Sequence, residues 1–389
     1  MAILNHLGLK NFGCFPEASL ALAPLSVLVG PNDSGKSTLL KSVLAYRALC
    51  SDQVDLPKDL GMPALAWAPA GGPVAERFSI DLGGRLGPKE FSVQTEIRPS
   101  HPAQNLHQTL HSAPFRFSSS PEGLFKSPDS ASNTGPGRYG CWLNRTPQGV
   151  GADANSFQAL ARLRAALSSI RCFRLDPDVL RRPTAAATTP EVPMLGERGE
   201  GLATVLSVLS GADWRNLARI EEQLVARVPT LERFRVLPTP SGNHRLVFRL
   251  KGRSQDIEAS QVSDGALLFL AFLTLLHHPS PPAVLLIEEP ENGVHPGRLR
   301  FILRMLRELT AGDAHRPPTS VLMTTHSPYL LDEVQPHEAF FCRRGDDGAA
   351  TVRRFDAIPD IQQRLADYGL GELWTAFGED ELARMADAT

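Results

Sequence analysis

Apolar positions along the chain follow two rhythms, and each predicts a set of elements. Short alternating segments around Leu7–Phe12 and Ser19–Leu22 predict strands. The unbroken apolar run Leu25-Ser26-Val27-Leu28-Val29 predicts a strand buried on both faces, ending in a glycine-rich turn before a helix from Lys36 to Leu49. Glu76–Leu82 and Lys89–Ile97 alternate around a glycine-containing turn and predict a β-meander. From Pro99 to Gly151 the chain turns to Ser, Pro, Gly, His and Asn, which predicts a long loop or poorly ordered insertion. Helical periodicity returns over Phe157–Ser169, followed by Cys172-Phe173-Arg174-Leu175 and a Pro/Thr-rich stretch to Pro193. Residues 201–228 predict a helix, and Arg233–Lys251 a hairpin turning at Ser241-Gly242-Asn243. The rest alternates: helix 264–277, strand 283–287, helix 297–310, strand 320–324, helix 328–333. Such alternation predicts an α/β fold, with a mostly parallel sheet flanked by helices beside the antiparallel meander and an inserted helical region. Four stretches follow: an N-terminal lobe over 1–98, the insertion over 99–200 (loop-rich, then helical), a helical arm and hairpin over 201–262, and a C-terminal lobe over 263–389. No internal repeat or sustained heptad run interrupts them.

Composition narrows this little. The 389 residues are 42% hydrophobic and 21% charged, as in an ordinary globular protein, and 40 basic against 42 acidic residues leave a net charge of −2. That balance gives no support to wholesale nucleic-acid binding, although a local basic patch is compatible with it. Five scattered cysteines (Cys14, Cys50, Cys141, Cys172, Cys342) form no CxxC pair, so idle thiols are expected rather than a disulfide framework or a zinc site. The first residues carry no leader pattern, and no run approaches the roughly 18 apolar residues that cross a bilayer. The expectation is a cytoplasmic protein with no membrane partner.

Candidate chemistry changes the picture. Gly30-Pro31-Asn32-Asp33-Ser34-Gly35-Lys36-Ser37-Thr38 is a complete GxxxxGKS pattern, placed after an apolar strand and at the start of a helix. Its glycines let backbone N–H groups curl around phosphate oxygens, and the helix N-terminus favours the negative charge. Lys36 is placed for the β- and γ-phosphates of ATP, and the Ser37 hydroxyl for Mg²⁺.

Three further segments accompany it. Ala283–Ile287 is an apolar strand ending in Glu288-Glu289-Pro290-Glu291-Asn292. Two acids there are, in isolation, a solvated strand end. With a phosphate loop in the same sheet, Glu288 is placed to hold Mg²⁺ through water and Glu289 to orient or deprotonate the attacking water. Ser263-Asp264-Gly265 opens the apolar helix Ala266–Leu276; it reads either as a plain serine cap or as an anion site at a helix N-terminus. Strand Val321–Met323 ends in Thr324-Thr325-His326-Ser327-Pro328, and His326 is either a polar loop residue or a γ-phosphate sensor.

The order GPNDSGKST, VSDG, LLIEEPENGVHP, TTHSP resembles the ABC-type ATPases of the SMC/RecF/OLD group, and most of all their stand-alone AAA-family members, the OLD-like or AAA_21 type. The resemblance covers about 1–45 and 200–335. It implies a P-loop NTPase of ABC-head type. Lys36 and Ser37 become the Walker A residues, and Glu288 and Glu289 the Walker B pair with its catalytic glutamate. His326 becomes the switch histidine. Ser263, Asp264 and Gly265 become a signature motif that reaches the γ-phosphate of a second subunit. Asn292–His295 then falls in the loop along the dimer interface. Glu288 departs from the more usual aspartate. No residue is assigned as the Q-loop glutamine, Gln94 being only a candidate, and the long coiled coil is missing. The 63 residues after His326 are fewer than a Toprim nuclease domain of roughly 100 residues, so no built-in nuclease is expected. The implied function is an ATP-hydrolysing homodimeric switch acting on a protein effector or on DNA, in anti-phage defence or DNA maintenance. A RecF-like DNA-binding repair clamp and a slow-turnover nucleotide-dependent scaffold are the alternatives.

Overall fold

The structure, a computed structural model, describes residues 2–50, 56–62, 64–97, 106–112, 115–119, 154–313 and 316–387. Its contacts divide the chain into two compact units. One comprises Met1–Arg171, Pro282–Leu286 and Pro318–Thr389, the other Cys172–Pro281 and Ile287–Pro317.

The first unit holds two sheets. One is fully antiparallel, in the strand order Phe15–Ala21, Ala2–Phe12, Phe78–Leu86, Lys89–Ile97, Leu106–Ser112, Phe115–Ser119. The meander predicted from alternation is present, and longer than expected. Leu106–Ser112 and Phe115–Ser119 extend it, which corrects the reading of 99–151 as loop throughout. Composition averaged over that stretch hid the local alternation. The rest of it, with Cys141, lies outside the described residues. In the second sheet, Leu25–Val29 lies between Ser320–Thr325 and Ala339–Arg344, parallel to both, and Ala350–Arg354 closes one side antiparallel. Val284–Glu288 enters this unit through its first three residues. All five residues of Leu25–Val29 are buried, as its apolar run requires. Helix Lys36–Leu49 is tied to the meander by Tyr46, whose fully buried hydroxyl lies 2.7 Å from the Ile80 carbonyl and 2.8 Å from that of Val93.

The second unit is built around helix Asp264–Leu276, whose residues Gly265 to Leu276 are all buried. A helix apolar on every side needs neighbours on every side. Trp214–Arg227 and Pro296–Ala311 both pack on it. The predicted helix 201–228 is two helices, Leu202–Ala212 and Trp214–Arg227, broken at Asp213. The Asp213 carboxylate accepts from Asn216 N and caps the second helix. The hairpin is present as Leu231–Pro238 and Asn243–Leu250.

Candidate nucleotide site

Three facts shape the phosphate loop. Gly30 follows the buried strand, and a Cβ there would lie 2.5 Å from the Cys342 carbonyl oxygen and 2.6 Å from Ser34 Oγ, so only glycine fits. Gly35 caps helix Lys36–Leu49 with φ +98°, and its own Cβ would lie 2.8 Å from the Phe15 ring. The first turn of that helix carries no acid and no side-chain cap, so its N–H groups are not claimed by a side chain. Lys36 is buried and folds back over the loop, donating from Nζ to the carbonyls of Gly30 (2.8 Å) and Pro31 (2.7 Å). Buried Ser34 Oγ has no hydrogen-bond partner. Ser37 is exposed beyond the loop, as is Asn32, while Thr38 Oγ1 lies 3.7 Å from Cys14 Sγ. A backbone cradle, a buried ammonium donating to two neutral carbonyls, and an orphan hydroxyl fit a polyphosphate.

The register of the parallel sheet brings the histidine to this loop. Thr325 pairs with Val29, so His326 and Gly30 are the next residues of two adjacent strands. His326 is exposed there, at the end of a strand buried over all six residues. Gln94, by contrast, sits inside strand Lys89–Ile97, paired across the ladder with Asp81. It is a strand residue, so the candidate Q-loop position is corrected: one glutamine amid polar neighbours carries no information about where the chain leaves the sheet.

The remaining predicted residues lie in the second unit. Glu288 ends its strand and Glu289 follows with φ +48°, a left-handed conformation costing a non-glycine residue about 1 kcal/mol. Asn292 Nδ2 donates to Glu289 Oε2 at 2.7 Å, which aims that carboxylate. Both acids line a small depression with Leu175, Leu268, Phe272 and Ile287. Arg174, which no sequence motif marks, faces them both: Nη1 is 3.9 Å from Glu288 Oε2 and Nη2 is 3.8 Å from Glu289 Oε2. Its only sequence signal is a charged residue directly after the apolar Cys172-Phe173.

Ser263 stands at the N-cap of the central helix, yet its exposed hydroxyl makes no capping bond. Asp264 Oδ1 accepts from Arg181 Nη2 at 2.6 Å. Gly265 is buried, and a Cβ there would lie 3.3 Å from the Gly293 carbonyl oxygen. The start of this helix and the Asn292–His295 loop are therefore packed together. His295 has a structural task in that loop, accepting through Nδ1 from Gly297 N at 3.1 Å. Among the described residues no cluster of three or more His, Cys, Asp or Glu could hold a metal. Ser37 in the first unit and Glu288 in the second each carry the kind of hard oxygen that Mg²⁺ prefers.

Comparison with known proteins matches two family models. One, described as "AAA domain, putative AbiEii toxin, Type IV TA system", covers residues 206–332, and the other, "AAA ATPase domain", covers residues 2–45. The chain is 28% identical over 108 residues to a DNA replication and repair protein RecF of Chloroflexus aggregans, covering 27% of this chain and 26% of that one. It is 44% identical over 41 residues to the OLD nuclease of Thermus scotoductus, covering 10% and 8%. It thus spans about a quarter or less of the length of these relatives. Among solved structures, an SMC head bound to the C-terminal winged-helix domain of ScpA is similar in fold, with TM-score 0.57 and 12% identity. The match covers 90% of this chain and 97% of that one.

Proposed function

We propose that this chain, an ABC-type ATPase of the SMC/RecF/OLD group, hydrolyses ATP and uses the cycle to join and release a second copy of itself. The observation that carries the reading is the phosphate loop: Lys36 bound to two loop carbonyls, the helix start without a side-chain cap, and the orphan Ser34 hydroxyl. When a polyphosphate enters, Lys36 exchanges neutral carbonyls for phosphate charge, and Ser34 gains the partner it lacks. Ser37 and Glu288 are the residues that would hold Mg²⁺, and the ion would supply positive charge to offset that growing on the phosphates. Glu289, aimed by Asn292, orients the attacking water and takes its proton. His326, one residue past the Thr325–Val29 pair, is placed to bond the γ-phosphate and register its loss.

The exposed Ser263 hydroxyl and the close-packed Gly265 support a site completed in trans. A serine serving only as a helix cap would bond its own helix, and this one does not. Joined heads would close on a protein effector or on DNA; defence against phage and DNA maintenance are the settings in keeping with the group. The test is paired: Lys36→Ala should lose ATP binding, and Glu289→Gln should bind ATP with hydrolysis slowed at least roughly a hundredfold. An unchanged ATP affinity in the first variant would remove the phosphate-loop assignment. Parental turnover in the second would move the base elsewhere.

A DNA-binding reading has its own support in the second unit. Arg227, Arg300 and Arg304 lie 4.0, 5.2 and 5.9 Å from the centre of the Phe301 ring. Among the described residues none of the three is paired with a carboxylate. Like charges gathered on an aromatic face favour a polyanion. Duplex binding that weakens steeply with salt, and less steeply in Arg227→Gln with Arg304→Gln, is the expected result. Salt-independent or absent binding would leave the protein effector as partner.

A further inference from the structure

We propose that Arg174 is a built-in counter-ion for Glu288 and Glu289, occupying the carboxylate pair in the nucleotide-free protein so that a divalent cation binds only in company with nucleotide. The inference rests on the reading of Glu288 as a metal ligand and deepens it.

The geometry is that of one guanidinium shared between two acids. Different nitrogens of Arg174 face different carboxylates, at 3.9 Å and 3.8 Å. These separations are too long for hydrogen bonds and suit charge attraction. A planar fork can serve two carboxylates at once, which a lysine ammonium on its single point of charge does less well. The acids have reason to need it. They are consecutive, only 18% and 24% exposed, and Glu289 is pinned in a left-handed conformation with its Oε2 already held by Asn292. Neither can easily turn away from the other's charge.

The arginine is anchored at its backbone and loose at its tip. Its N–H donates to the Glu197 carbonyl at 2.9 Å, whereas its side chain is 67% exposed. A side chain so placed can leave the pair at small cost. A lone divalent cation must displace it. A cation arriving with ATP brings phosphate charge that gives the guanidinium another place to go. Arg174 is thus a positioning residue for the metal site, acting through Glu288 and Glu289.

The probe is Mn²⁺ titrated into nucleotide-free protein and followed by electron paramagnetic resonance, so that turnover plays no part in the readout. Arg174→Gln should bind Mn²⁺ about tenfold more tightly than the parent, since two partly exposed ion pairs no longer compete. Arg174→Lys should fall between them. Adding Glu288→Gln to Arg174→Gln should abolish the gain. Equal Mn²⁺ affinity in the parent and in a folded Arg174→Gln, whether measurable or too weak to detect, overturns the proposal. The underlying reading is tested separately, by Mn²⁺ binding in the presence of ATP. If Glu288→Gln abolishes that binding while Arg174→Gln changes nothing without nucleotide, only the counter-ion falls. If Glu288→Gln has no effect even with ATP, the metal-ligand reading falls with it.

Discussion

Replacing Gly35 by alanine separates two effects that one atom can have on the phosphate loop. At φ +98° an alanine pays the left-handed penalty of about 1–2 kcal/mol. Its Cβ would also lie 2.8 Å from Phe15 Cζ and 2.9 Å from Cys14 Sγ, and Phe15 is fully buried, so the contact adds the roughly 1–3 kcal/mol typical of overpacking. Gly87 supplies the control: it has φ +62° in the turn between strands Phe78–Leu86 and Lys89–Ile97, and nothing lies within 4 Å of its added Cβ. Gly87→Ala should therefore lose only about 1 kcal/mol, and Gly35→Ala about 2–5 kcal/mol or else a displaced loop. Thermal unfolding with and without Mg²⁺ and ATP distinguishes these outcomes. Gly87→Ala should keep the full nucleotide-induced rise in Tm, and Gly35→Ala should melt lower and lose most of that rise. If Gly35→Ala melts like Gly87→Ala and keeps the full rise, the steric account of the loop is wrong.

Two further predictions concern stability. Tyr46→Phe should cost about 1 kcal/mol in denaturant unfolding, because it removes the single hydroxyl proton that the buried Ile80 and Val93 carbonyls share; no change in midpoint would deny the hydroxyl its tie to the meander. His277 is held down to about 4 from 6.5 by burial and then by the nearby Arg316 and Arg219, so the native state resists its protonation. Its contribution is complete above pH 6.5 and is lost as pH falls toward 4, on the order of 2 kcal/mol. His277→Gln should flatten the fall in Tm across that window, and an identical profile in parent and variant would contradict the assignment.

How far the sequence could be read depended on how local each requirement was. Helix Lys36–Leu49 and strand Leu25–Val29 were legible, because loop, cap and buried run are all written within 25 positions. Glu288 was legible as the end of an apolar run. The break at Asp213 was less so, since the apolar stripe continues across it and only Gly211-Ala212-Asp213 marks the stop. Strands Ala339–Arg344 and Ala350–Arg354 went unread, although Gly345-Asp346-Asp347-Gly348 is a turn between short alternating runs. Their consequence was least legible of all: the Cys342 carbonyl that forbids a side chain at Gly30 is 312 positions away in the sequence. Arg174 shows the same limit. Its meaning comes from two acids that the chain reaches more than a hundred residues later.

The central claim is that ATP joins two copies of this chain through sites each completes for the other. Light scattering on Glu289→Gln, with Mg²⁺ and ATP added, measures it most directly. Slow hydrolysis should hold the joined state, so the mass should double on adding ATP. Ser263→Arg in the same background should bind ATP with equal affinity and remain at its nucleotide-free mass, because the long side chain stands where the neighbour's γ-phosphate would come. Doubling in both proteins would reduce Ser263-Asp264-Gly265 to the start of a buried helix. Doubling in neither, with ATP shown to be bound, would contradict the claim outright.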